Sequence, residues 1–183
     1  MTHGLVDSFG RVHRDLRISL TDKCNLRCTY CMPADGVPLA PKPTLLTLEE
    51  MLTIARVAVE AGIAEIRLTG GEPLLRPDIV AIVEGLAALE GPEGHPEISM
   101  TTNGIGLARL AEPLREAGLA RLNVSLDTLD PERFKTMTRR GRFDDVMAGL
   151  DAARATGFEP IKVNTVLLRG ENDDEANDLL EWA

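Results

Sequence analysis

Cys24, Cys28 and Cys31 are the residues best suited to chemistry, and they are all the cysteine this chain has. An odd number of cysteines gathered in one short segment disfavours a disulfide framework and favours metal or redox chemistry. The spacing C-x3-C-x2-C lets three thiolates converge on one centre. Structural zinc sites and ordinary cubane clusters take four protein ligands, so three thiolates on a four-iron, four-sulfur cluster leave one iron open for chemistry. The plainer readings are a zinc ion completed by His13 or by a partner's residue, and buried inert thiols.

The elements that must position these thiols are legible around them. Five strand-like runs, Leu16 to Leu20, Glu65 to Thr69, Glu97 to Thr102, Arg121 to Leu126 and Ile161 to Leu168, alternate with helical patterns. That is the rhythm of βα units and a parallel sheet. The cysteine segment follows the first run directly, and Gly70-Gly71-Glu72-Pro73 follows the second.

The helices are expected as follows. Thr47 and Glu50 have capping-box spacing ahead of a helix striped by Leu48, Met51, Leu52, Ala55, Ala58 and Val59 and stopped at Gly62. A second helix starts near Pro77. A third is reset by Pro113 and ends at Gly118; Asp130 and Pro131 open a small one; Phe143 to Leu150 stripe another. The last runs from Asp173 towards Ala183, and Glu171 to Glu175 read as its acidic first turn.

Along the strands, period-2 alternation puts polar residues on one face five times running: Arg17 and Ser19; Arg67 and Thr69; Ser99 and Thr101; Asn123 and Ser125; Lys162 and Asn164. Parallel strands covered on both faces are usually apolar throughout, so this pattern implies helices on one side and a wet lumen on the other. The expected fold is α/β, a partial TIM-like barrel of about five βα units, with ligands at the C-terminal strand ends. The alternative is an open sheet with a solvated face.

With 183 residues, 44% of them hydrophobic, the chain is long enough for one core and is expected to be one domain, residues 1–183. A formal net charge of -9 argues against a nucleic-acid or membrane-surface binder, so an anionic ligand must meet locally placed cations. No signal-peptide h-region and no long apolar run occur, and a cytoplasmic protein is expected. His3, His13 and His95 lie in polar or loop contexts and are expected to be solvated.

The cysteine spacing after a first strand, with Tyr30 just before the last Cys, resembles the signature of the radical S-adenosylmethionine enzymes, and Gly70-Gly71-Glu72-Pro73 is a second match. The resemblance implies a 4Fe-4S cluster on Cys24, Cys28 and Cys31. It implies S-adenosylmethionine bound to the open iron, with Tyr30, Gly71 and Ser125 as contacts, and its reductive cleavage to methionine and a 5′-deoxyadenosyl radical.

The wider context, Asp15 to Asn25, Ile66 to Leu74, Thr101 to Gly104, Asn123 to Asp127 and Lys162 to Val166, is similar to the GTP 3′,8-cyclases of molybdenum cofactor biosynthesis. That likeness implies a lyase in which the radical abstracts the ribose C3′ hydrogen of GTP and the substrate radical closes onto guanine C8. It also implies Arg17, Arg67, Thr101 and Lys162 as GTP contacts. The partners implied are GTP, a reduced flavodoxin- or ferredoxin-type donor and the next pathway enzyme, cyclic pyranopterin monophosphate synthase; homodimers are an option. The family's C-terminal region, with its second cluster, has no counterpart here, so the chain is expected to be a truncated core. The alternatives are another radical enzyme, of peptide or haem maturation type, and a non-catalytic fragment that keeps only the cluster and S-adenosylmethionine site.

Overall fold

The computed structural model describes residues 4–41 and 44–183; His3 lies outside them. A two-residue hairpin, β1 (Leu5–Val6) and β2 (Val12–His13), precedes five strands: β3 (Asp15–Ser19), β4 (Glu65–Thr69), β5 (Glu97–Thr102), β6 (Leu119–Ser125) and β7 (Lys162–Asn164). These five pair in chain order and in parallel throughout. Among the described residues β3 and β7 do not pair with each other, so the sheet is an open partial barrel.

Parallel neighbours need crossovers, and helices supply them: α1 (Leu48–Glu60), α2 (Ile79–Ala87), α3 (Leu107–Glu116), and the pair α4 (Pro131–Thr138) and α5 (Phe143–Ala155); α6 (Ala176–Trp182) follows the last strand. The capping box of α1 forms, with Glu50 N donating to Thr47 Oγ1 at 3.2 Å and Thr47 N to the Glu50 carboxylate at 2.9 Å. Ile82, Val83 and Leu86 of α2, Leu107 and Leu114 of α3 and Val146 and Leu150 of α5 are buried. Together with Ile66, Leu68, Ile98, Met100, Leu122 and Val124 of the sheet they make one core. Each such side chain contributes about 1.5–3 kcal/mol on full burial, so this one-sided seam holds the helices to the sheet. None of the helices among the described residues is long and apolar enough to cross a membrane.

Three local expectations are corrected. Helix α3 runs through Pro113 rather than being reset there, because Leu107, Ala111 and Leu114 stay on one buried face and outweigh the missing N–H. The fifth strand ends at Asn164, not near Leu168. Beyond it, Thr165 Oγ1 donates to Leu126 O at 2.7 Å and Val166 N to Asp127 Oδ1 at 2.9 Å, so side chains replace the ladder. The β1–β2 hairpin is an added element, too short to show a period.

Candidate active site at the strand ends

The polar strand face is real. Arg17, Arg67, Thr69, Thr101, Asn123, Lys162 and Asn164 line one cavity of about 380 Å³. Sheet register explains the assembly: Arg17 pairs with Arg67, Thr101 with Asn123, Asn123 with Lys162 and Ser125 with Asn164. Like charges on adjacent strand positions repel. Even so, among the described residues no carboxylate forms an ion pair with Arg17, Arg67 or Lys162. Arg67 Nε is buried with no hydrogen-bond partner, as befits a donor that waits for an anionic ligand.

The acids that might have neutralised these cations are engaged elsewhere. Glu72, 1% exposed, accepts from Thr102 Oγ1 at 2.7 Å, Asn103 N at 2.7 Å and Leu74 N at 3.0 Å. Burial raises its pKa, and the three donors pull against that rise. Asn103 Nδ2 donates to Asn25 Oδ1 at 2.7 Å, so this buried network reaches the cysteine loop. Asp127, 6% exposed, accepts from Tyr30 Oη at 2.6 Å and from Val166 N. Burial and that bond to Asp127 hold the Tyr30 hydroxyl far above its usual range, so it stays a donor.

Cys24 and Cys28 are half-buried and Cys31 is exposed. The loop is fixed at both ends. At its root, Gly71 N donates to Thr21 O and Glu72 N to Lys23 O. At its far side, Arg27 N donates to Thr138 O at 2.9 Å and Thr29 N to Met137 O at 2.8 Å, which docks it on the end of α4. Arg27 Nη1 also donates to the carbonyls of Cys24 and Leu26, both at 2.7 Å.

The glycines have a reason beyond access for a ligand. A Cβ on Gly71 would run into the Lys23 carbonyl, and one on Gly70, at φ +144°, would meet Thr21 O. The turn is glycine because two backbones touch where β3 hands over to the cysteine loop.

The donor set suits a cluster. Burial pushes the Cys28 thiol up to about 11, helped by the neighbouring charges of Asp127, Cys24 and Cys31, and burial likewise raises that of Cys24. Such thiols keep their protons until bound metal displaces them. Among the described residues no three Cys, His, Asp or Glu side chains close on a single ion. His13 sits on the hairpin beside Asp7, so the zinc reading completed by His13 is not formed. The three thiols could hold a larger group, with Tyr30 in the same loop and the Gly71 turn bonded to the loop's root.

Sequence reasoning singled out the cysteines, the glycine turn and the polar face. It missed the buried Glu72–Thr102–Asn103–Asn25 network, the Tyr30–Asp127 bond and the docking of the loop on α4. Asp127, in phase with Asn123 and Ser125, and Asn103, in phase with Ser99 and Thr101, were the members of these contacts that left a trace in the strand pattern.

The sequence profile of the Radical SAM superfamily matches residues 18–183. The chain is 60% identical over 182 residues to the GTP 3′,8-cyclase of Streptomyces coelicolor, spanning 99% of this chain and 52% of that protein. It is 58% identical to molybdenum cofactor biosynthesis protein 1 of Homo sapiens, over 98% of this chain and 27% of that one. The chain thus spans about half, or less, of the length of these relatives. Among solved structures, Streptococcus suis SuiB aligns with a TM-score of 0.67 at 22% identity, covering 90% of this chain and 36% of that one. At that identity the likeness speaks for the fold alone.

Proposed function

The chain belongs to the radical SAM superfamily, and from that premise we propose that it is the S-adenosylmethionine-cleaving core of a GTP 3′,8-cyclase of molybdenum cofactor biosynthesis. On this reading Cys24, Cys28 and Cys31 hold a 4Fe-4S cluster, and residues 1–183 act as one core domain. When bound, the cluster supplies the electron that cleaves S-adenosylmethionine into methionine and the 5′-deoxyadenosyl radical that abstracts a substrate hydrogen. A reduced one-electron carrier protein delivers that electron.

The observation that carries the substrate assignment is the cation set Arg17, Arg67 and Lys162, without an ion-pair partner among the described residues, in one cavity of a chain with net charge -9. Two guanidinium forks and an ammonium suit a triphosphate, because planar donors engage phosphate oxygens in pairs and the ammonium adds a mobile point charge. Thr101 adds a hydroxyl beside them. Ser125, at the tip of β6 and two residues before Asp127, is assigned on this reading to hydrogen-bond S-adenosylmethionine. The Gly70–Gly71 turn and Tyr30 keep the cysteine loop in register with that site, Tyr30 by donating its proton to Asp127. The 60% identity to a named cyclase supports the same reading.

The test is anaerobic reconstitution followed by dithionite, S-adenosylmethionine and GTP. Formation of 5′-deoxyadenosine together with GTP consumption is expected. Formation of 5′-deoxyadenosine with GTP untouched would refute the cyclase assignment and leave the radical chemistry standing. Binding supplies a second check. Lys162→Ala should weaken GTP about tenfold or more, since a charge-assisted hydrogen bond is worth about 1.5–3 kcal/mol. Unchanged affinity by calorimetry would sink the role given to Lys162.

A further inference from the structure

The basic residues at the end of α4 are not explained by the reading above. Lys135, Arg139, Arg140 and Arg142 fall in a stretch that contains no Asp or Glu. All four are exposed. Lys135 has only a loose partner, Glu132 at 3.7 Å, and Arg142 is paired with Asp145. Among the described residues, Arg139 and Arg140 have no carboxylate in ion-pair reach, and their hydrogen bonds use Nη1 alone. In a chain with 29 acidic and 20 basic residues, two adjacent unneutralised guanidinium groups make a local cationic face.

This face adjoins the cysteine loop. Arg139 Nη1 donates to Arg27 O at 3.0 Å and to Met32 O at 3.2 Å, and Met32 directly follows the exposed Cys31. Arg139 is also the residue that ends α4, in a left-handed backbone at φ 54°, the one non-glycine residue among those described with a positive φ. Such a conformation is unfavourable for a residue with a Cβ. Glycine would adopt it freely, so the position retains arginine against a backbone penalty.

Building on the proposed function, we propose that Arg139 and Arg140 form the docking surface for the electron donor, an acidic one-electron carrier protein of iron–sulfur or flavin type. The sheet's wet face is taken by substrate-binding side chains, which leaves the outer side of the loop for a macromolecule. A carrier seated on Arg139 lies one hydrogen bond and one residue from Cys31. One electron leaves the carrier, which is oxidised by one equivalent, and passes to the cluster that the three thiolates hold, which is reduced by one; no bond forms or breaks at the surface. Complementary charge raises the encounter rate and makes it sensitive to salt.

The test uses the cluster-loaded protein and an acidic [2Fe–2S] ferredoxin as probe, with two readouts: affinity by calorimetry and cluster reduction followed by absorbance. The wild type should bind with an affinity that falls steeply between low and high salt. Arg140→Glu should weaken binding at low salt about tenfold or more and flatten the salt dependence, while dithionite still reduces the cluster fully. Arg139→Gly suits the left-handed backbone and removes the guanidinium, so it should weaken ferredoxin binding without lowering thermal stability by the cost of a strained residue. Equal ferredoxin affinity in wild type and Arg140→Glu would overturn the docking surface. If dithionite-driven cleavage of S-adenosylmethionine proceeds in that same protein, the proposed function survives that failure. A protein that loads no cluster overturns both.

Discussion

Gly71 is where residue chemistry and loop geometry meet most tightly. Its N–H donates to Thr21 O, and a Cβ there would collide with the Lys23 carbonyl, next to Cys24. Both obstacles are backbone, which cannot swing aside as a side chain can. Gly71→Ala should therefore lower the unfolding free energy obtained from urea titration by about 1–3 kcal/mol or more and reduce cluster loading in parallel. Normal stability with normal loading would show that the contact relaxes freely. The sequence revealed that glycine was required, but it suggested access for a ligand as the reason. The contact with Lys23 joins residues far apart in the chain, and no local pattern carries it. The same holds for Glu72 and Asp127. Glu72 stands in the Gly-Gly-Glu-Pro turn and Asp127 in phase with its strand, yet neither shows its donors until the fold brings them to it.

At the scale of elements, strand alternation was the most informative signal. Arg17, Arg67, Thr101, Asn123 and Lys162 fall in one cavity because a parallel register keeps their phase across strands. The β6–α4 connection and the end of the fifth strand were less legible, because side-chain bonds from Thr165 and to Asp127 end the ladder where β-propensity alone would continue it. Arg76 ties the β4–α2 connection to the first loop, donating to Leu20 O at 3.0 Å and to the carboxylate of Asp78 at 2.8 Å. The bond from Arg76 holds the Asp78 carboxyl below its ordinary value. A lowered folded-state pKa adds stability that is present above the unfolded value, near 4, and is lost as pH falls through the folded value. Asp78→Asn should thus show a shallower loss of urea stability below about pH 4 than the wild type. Identical acid limbs would remove this pair from the stability of the connection.

For the molecule as a whole, charge is unevenly distributed. The chain is acidic, yet its barrel face gathers Arg17, Arg67 and Lys162, and the end of α4 gathers a second cationic set. A triphosphate held by such a face should bind more weakly as salt rises, because exposed charges are screened beyond about 10 Å at 0.1 M. GTP affinity that does not respond to salt would argue against the cations as its main contacts. Helices on one side only leave the other face to hold ligands at the strand ends, and the cysteine loop lies at that mouth. All of this depends on the three thiols. The most direct measurement is iron and sulfide content with visible absorbance after anaerobic reconstitution, in the wild type and in Cys28→Ser. The wild type should carry roughly four irons and four sulfides per chain, and the variant should lose most of both. A wild type that binds no iron–sulfur chromophore, or a Cys28→Ser protein that binds it equally well, would contradict the cluster assignment.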